Sequence, residues 1–70
     1  MTLFDSNLGH EVAAIEGDQI ISRWGHRFDI EGYAVIDTEG AAGVQGAIVG
    51  TFDDGRFYNS FGELMAEIRS

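Results

Sequence analysis

The chain has 70 residues, of which twelve are Asp or Glu and four are Arg, with no Lys and no Cys, and its formal net charge at pH 7 is −8. This length predicts one domain, residues 1–70, with too small an interior for an elaborate active site. Without cysteine there is neither a disulfide framework nor a thiolate zinc site, and the negative charge disfavours direct contact with nucleic acid phosphates.

The N-terminal segment, residues 1–10, predicts no regular element. It has no basic stretch and no sustained apolar run, so neither a secretory signal nor a membrane span is indicated. We therefore expect an irregular segment at the start of a soluble, cytoplasmic protein that does not contact a membrane.

Two largely apolar stretches, residues 12–15 and 20–24, predict a first β-hairpin. The sequence between them contains Gly17, which can adopt the positive φ that a tight turn needs. Residues 27–31 then alternate apolar Phe28 and Ile30 with charged neighbours, the pattern of a half-buried strand. Gly32 interrupts the pattern, and either one long bent strand or two short strands would fit residues 27–36.

Residues 37–46 contain three glycines spaced three residues apart and predict a mobile hairpin loop. Strands are predicted at 47–52 and 56–58. Between them, Asp54-Gly55 is a preferred type I′ turn, which places Asp53 opposite Arg56. Because backbone geometry alone explains the adjacent carboxylates of Asp53 and Asp54, we do not interpret them as catalytic.

The C-terminal segment, residues 60–69, predicts a helix. Ser60 and Glu63 have capping-box spacing, and four apolar residues at i, i+3, i+4 and i+7 form one stripe. The stripe consists of Phe61, Leu64, Met65 and Ile68. We expect this helix to pack on one face of a small antiparallel sheet of four to five strands, so the predicted fold class is α+β.

Residues 23–28 concentrate two of the four arginines and the sole tryptophan in an otherwise acidic chain. Trp and Arg often carry the binding energy of an interface, which favours Arg23, Trp24 and Arg27 as an anchor for a partner. The alternative interpretation is that Trp24 and Phe28 belong to the core and that the arginines neutralise nearby acids.

Catalysis and metal binding have weak support. His10 and His26 have neither the helical spacing of zinc ligands nor the spacing of an EF-hand, and no serine lies in a nucleophile-elbow pattern. We therefore expect no enzyme activity, no metal and no cofactor. A concave pocket that unites His26 with buried acids would favour an enzyme instead.

The charge balance favours a protein that binds another protein. A basic groove built to hold nucleic acid would attract this chain, whose carboxylates would replace phosphates. The predicted acidic contacts are Asp29, Glu31, Asp37, Glu39, Asp53 and Asp54. In size, acidity and α+β architecture the chain resembles the small inhibitors by which phages block nuclease-based immunity, including anti-CRISPR proteins. This resemblance of profile covers no motif and assigns no residue.

The alternative function is a structural or accessory module that forms homo-oligomers. Two copies would join through exposed sheet faces or edges, and the acidity would only maintain solubility. A strong dimer that buries Trp24 and Tyr33 would favour this alternative, whereas a monomer with clustered carboxylates would favour the acidic inhibitor.

Overall fold

The chain folds as a closed barrel of eight antiparallel β-strands. The computed structural model describes residues 1–69. The strands are β1 Thr2–Asp5, β2 Glu11–Glu16, β3 Gln19–Ser22, β4 Arg27–Glu31, β5 Ala34–Ile36, β6 Ile48–Asp53, β7 Arg56–Asn59 and β8 Leu64–Ile68. Each strand pairs with the next one along the chain, and β8 pairs with β1. The fold is all-β, so the predicted α+β class is wrong.

The predicted C-terminal helix over residues 60–69 is also wrong, because this segment forms a turn followed by β8. Asn59 Oδ1 accepts hydrogen bonds from the backbone N–H groups of Phe61 and Glu63, at 2.9 and 3.0 Å. These bonds take the place of the predicted capping box, since a short polar side chain can satisfy a turn as well as a helix. Gly62 then adopts φ +83°, which is outside the helical region.

Barrel closure explains why this segment is a strand. β8 fills the gap between β7 and β1 and pairs with both, which removes the two free edges that an open sheet would expose. An isolated helix of this length is marginal in water. Ala66 is buried and Ile68 packs against the core, whereas Phe61, the first residue of the predicted stripe, is 86% exposed.

The predicted hairpins are confirmed. Gly17 has positive φ in the turn between β2 and β3, and Asp54 and Gly55 have φ of +51° and +76° in the turn between β6 and β7. Asp53 pairs with Arg56, as predicted. The pattern around Gly32 resolves into two short strands, β4 and β5, which pair with each other.

The N-terminal segment contains a strand, although an irregular structure was expected for residues 1–10. Leu3 of β1 is one of the most deeply buried residues. β1 pairs with β2 on one side and with β8 on the other, so it is part of the barrel wall.

Because the strands alternate in direction, their connections fall at two opposite ends of the barrel. One end, here called the loop end, carries residues 6–10, 23–26, 37–47 and 60–63. The other, here called the turn end, carries the two-residue turns 17–18, 32–33 and 54–55, together with Met1 and Arg69.

Three β-bulges lie in the half of the barrel nearer the loop end. The pairing of β1 with β2 skips Val12, that of β5 with β6 skips Val49, and that of β7 with β8 skips Met65. Each bulged residue is the second of a strand that starts at the loop end. A bulge adds a residue to one strand, bends it and re-aims side chains.

Candidate functional site

Five exposed carboxylates lie on or beside the three turns of the turn end. These turn-end carboxylates are Glu16, Asp18, Glu31, Asp53 and Asp54. The turns are neighbours, because the Ile30 N–H donates to the Asp18 carbonyl and the Phe52 N–H donates to the Tyr33 carbonyl, each at 2.7 Å. The three adjacent turns therefore carry five of the twelve acidic residues, and this set is here called the acidic rim.

The turn-end carboxylates are free of internal partners. Within residues 1–69 none of the five forms an ion pair or accepts a side-chain or backbone hydrogen bond through its carboxylate. Arg56 lies opposite Asp53, but its ion pair is with Glu67, at 4.0 Å, and Arg69 contacts the same Glu67 at 3.4 Å. The two turn-end arginines thus share one acid and leave the rim charged.

Most carboxylates of the loop end, by contrast, accept hydrogen bonds within the protein. The four that do so are Asp5, Asp37, Glu39 and Glu63. Glu11 is exposed and, within the described chain, accepts no such bond. Negative charge is therefore present at both ends, but at the loop end it mainly stabilises the loops.

Asp37 is buried, although it was predicted to face a partner. Its side chain is 0% exposed, and its two carboxylate oxygens accept the backbone N–H groups of Ala41 at 3.0 Å and Ala42 at 2.7 Å. The acid therefore organises the loop between β5 and β6. In the structure this carboxylate is therefore buried in its own loop and is not exposed to a partner.

The six predicted acidic contacts consequently do not form one surface. Glu31, Asp53 and Asp54 lie together at the turn end. Asp29 is half-buried in β4, where Gln19 Nε2 donates to it at 3.1 Å. Glu39 lies at the loop end, where it accepts the backbone N–H of Arg27 at 3.0 Å.

Glu16 and Asp18 were missed as members of the acidic rim. The hairpin turn that carries them was recognised from Gly17, so the local signal was present. The sequence did not show that each strand pairs with the next one along the chain. It is this antiparallel order that puts alternate turns at the same end of the barrel.

Trp24 does not belong to the core, whereas Phe28 does. Trp24 follows β3 at the loop end and is 76% exposed, and the guanidinium carbon of Arg23 lies 5.6 Å from the centroid of its ring. Such a cation–π contact orients the indole. Arg27 is exposed at the start of β4, and Phe28 packs against the core. The core interpretation is therefore wrong for Trp24 and confirmed for Phe28.

The loop end also exposes one large apolar side chain from each of its four connections. These loop-end apolar residues are Leu8, Trp24, Val44 and Phe61, and their exposure ranges from 69% to 86%. These side chains are exposed at one end of the barrel, where they are available for contact with a partner. Tyr33, the other residue expected in a dimer contact, is exposed at the turn end.

The barrel interior contains a cavity of about 150 Å³. All eight strands contribute to its wall, and Ser22 is the only polar lining residue in the described part of the chain. The lining consists of Leu3, Val12, Ala13, Ile20, Ser22, Phe28, Val35, Val49, Phe57 and Ala66. No titratable side chain lines it, and His26 is exposed at the loop end, so the cavity is not the pocket of histidine and buried acids that would favour an enzyme.

Over residues 1–69, no group of three or more His, Asp or Glu side chains is placed to hold a metal ion. No helix in the same part of the chain is long and apolar enough to cross a membrane.

Asp5 stabilises the first loop of the loop end and gives the protein a predicted pH dependence. Hydrogen bonds from the backbone N–H groups of Leu8, at 2.7 Å, and Asn7, at 2.8 Å, lower the pKa of Asp5 below its ordinary value of 3.8. Because the folded-state pKa is below the unfolded-state value, the stabilisation is present above the unfolded-state value and is lost as the pH falls through the folded-state value.

Both bonds use Oδ1, so Asp5→Asn can keep the turn and remove only the charge. We expect wild type to be more stable than Asp5→Asn at about pH 6, and the difference to disappear towards about pH 2. Urea unfolding of both proteins across this range measures the difference. A difference independent of pH would show that the Asp5 charge does not stabilise the loop.

No family model, no curated protein and no solved structure matches the chain. The function therefore has to be inferred from the protein's own surfaces.

Proposed function

We propose that the protein is an acidic inhibitor that uses its turn end to occupy a basic, nucleic-acid-handling surface of another protein. The observation that supports this is the set of five free turn-end carboxylates on three adjacent turns. Carboxylates accept charge-assisted hydrogen bonds from Arg and Lys, as phosphate oxygens do. The partner's cationic side chains would therefore contact this rim in place of nucleic acid.

The geometry of the turns suits this role. Two-residue turns closed by paired strands leave the backbone little freedom, so binding orders few additional dihedrals. The net charge of −8 would also speed the encounter with a cationic surface and make it sensitive to salt. Size and acidity still resemble those of phage inhibitors of nuclease-based immunity, whereas the α+β part of that resemblance does not apply.

The test of this proposal begins with capture of the partner from extracts at low salt, followed by affinity measurements on the purified complex. The neutralised variant combines Glu16→Gln, Asp18→Asn, Glu31→Gln and Asp53→Asn, leaving Asp54 in its turn. We expect it to bind about ten- to a hundredfold more weakly than wild type, since each exposed charge pair contributes up to about 1 kcal/mol. The wild-type Kd should rise steeply with ionic strength.

Single substitutions provide a matched control. Glu31 and Glu11 are both exposed and both at a strand end, and neither has a partner among residues 1–69, but they lie at opposite ends of the barrel. Glu31→Gln should weaken binding and Glu11→Gln should not. The proposal would be contradicted by a Kd that does not change with salt. It would also be contradicted if the partner bound this protein and duplex nucleic acid at the same time.

A second candidate function, a homo-oligomeric accessory module, is favoured by the loop-end apolar residues. Joining through sheet edges does not apply, because the closed barrel has no free edge. Two copies would instead meet through their loop ends, with the acidic rims pointing apart. Sedimentation of wild type and of Trp24→Ser with Phe61→Ser tests it: a wild-type dimer that the variant abolishes supports it, and a wild-type monomer contradicts it.

A further inference from the structure

We propose that the barrel cavity is a binding site for a small, uncharged apolar molecule of about the size of a benzene ring. This goes beyond the proposed function, because the site lies in the interior and uses none of the turn-end carboxylates. An eight-stranded barrel has an interior just wide enough either to be filled by side chains or to hold one small ligand.

The cavity extends through the barrel interior to the loop end. Its wall includes Val12, Ser22, Phe28 and Val49, each within two residues of the loop-end terminus of its strand. Four half-buried apolar residues do not line it, although each is paired across strands with a residue that does. Those residues are Ile15, Ile30, Phe52 and Ile68, which pack against the buried core instead.

Small side chains and bulges create the space. Ala13 and Ala66 are buried and line the cavity where larger residues would fill it. Val12 and Val49 are the bulged residues of β2 and β6, and both line the cavity. Bulges that bend a strand beside a cavity are typical of sites that bind something.

The lining selects an apolar ligand. Ser22 is the only polar lining residue among residues 1–69, and its Oγ accepts backbone N–H groups from Trp24 at 3.3 Å and His26 at 3.1 Å. A charged or strongly polar molecule would lose its hydration without gaining partners. Apolar cavities of about 150 Å³, in contrast, accept benzene and xenon.

The loop end provides the route of entry. Ser22 joins the cavity to the connection at residues 23–26, and the loop-end apolar residues surround that end of the barrel. Ligand sites of barrels are commonly reached through such a mouth. A small apolar molecule would therefore pass apolar side chains rather than the acidic rim.

Methyl NMR of the intact protein, titrated with benzene, tests the site directly. We expect saturable shifts for the lining methyl groups of Leu3, Val35 and Val49, and none for Val44, which is exposed on a loop. Xenon should shift the same lining methyl groups. Absent or non-saturable shifts, or equal shifts at Val44, would overturn the proposal.

Two neighbouring alanines supply a matched pair of variants. Ala13 lines the cavity, whereas Ala14 does not. Ala13→Leu should abolish the benzene-dependent shifts and Ala14→Leu should preserve them; retained binding in Ala13→Leu would place the ligand elsewhere. If Ala13→Leu does not fold, the smaller change Ala66→Val provides the same comparison. Loss of benzene binding in Ala66→Val would support the site, and unchanged binding would overturn it.

Discussion

Replacing Asp37 by alanine is expected to lower the free energy of unfolding by about 2–3 kcal/mol, because two charge-assisted hydrogen bonds to the backbone are lost. The carboxylate is fully buried and accepts the N–H groups of Ala41 and Ala42. Urea unfolding measures the change. Asp37→Asn, which keeps one acceptor oxygen, should lose less.

Glu39→Ala is the control for Asp37, since Glu39 is an exposed acid of the same loop. It should destabilise the protein less than Asp37→Ala. If Asp37→Ala is as stable as wild type but binds a partner more weakly, Asp37 belongs to a binding surface and the loop-organising role is wrong.

Replacing Gly50 by alanine is expected to cost about 2–3 kcal/mol of stability, because a buried position has no space for a Cβ atom. An added Cβ would overlap the Tyr58 carbonyl oxygen and lie 2.8 Å from Cε1 of Phe57. Backbone cannot move aside as a flexible side chain can. Thermal or urea unfolding of Gly50→Ala measures the effect.

Thr51→Ala provides the control for Gly50→Ala on the same strand, because Thr51 is exposed. We expect it to change stability by less than about 1 kcal/mol. Equal stabilities for the two variants would mean that β6 and β7 do not approach as closely at Gly50 as the structure has them.

The cavity bears on stability as well as on binding. A molecule that binds the folded protein and not the unfolded chain stabilises the folded state, so a bound apolar molecule would raise the free energy of unfolding. A chain this short has little stability in reserve, so the effect of such a ligand should be measurable.

The hairpins could be predicted because their signals are local. Asp54-Gly55 and Gly17 meet the φ requirements of tight turns, whatever the rest of the chain does. The last strand, β8, could not be predicted, because the local signals in its segment, a capping-box spacing and an apolar stripe, favoured a helix. The choice was decided by pairing with β1, more than sixty residues away along the chain, which no sequence window contains.

The identity of the buried residue of β8 could not be predicted for a related reason. The predicted helical stripe was built from large apolar residues, yet Leu64 and Met65 are exposed and the buried residue is the small Ala66. Ala66 lines the barrel interior, although it is smaller than its exposed neighbours Leu64 and Met65. Residue size was therefore a poor guide to burial in this segment.

The candidate surfaces were partly predictable. Acids on recognised turns, such as Asp53 and Asp54, were correctly expected to be exposed. The burial of Asp37 was not expected, because the residues next to it in the sequence do not show that its own loop folds back onto the carboxylate. The exposure of Trp24 likewise depends on β3 ending at Ser22, two residues earlier than the sequence pattern indicated.

The two ends of the barrel and its cavity exist only if β8 closes the barrel. Nuclear Overhauser contacts in the labelled protein test this closure most directly. We expect cross-strand backbone contacts between Phe4 and Glu67 and between Leu3 and Ile68, which are paired in the structure. A continuous series of sequential amide–amide contacts through residues 61–68, with no contact to β1, would show a helix there and contradict the closed barrel.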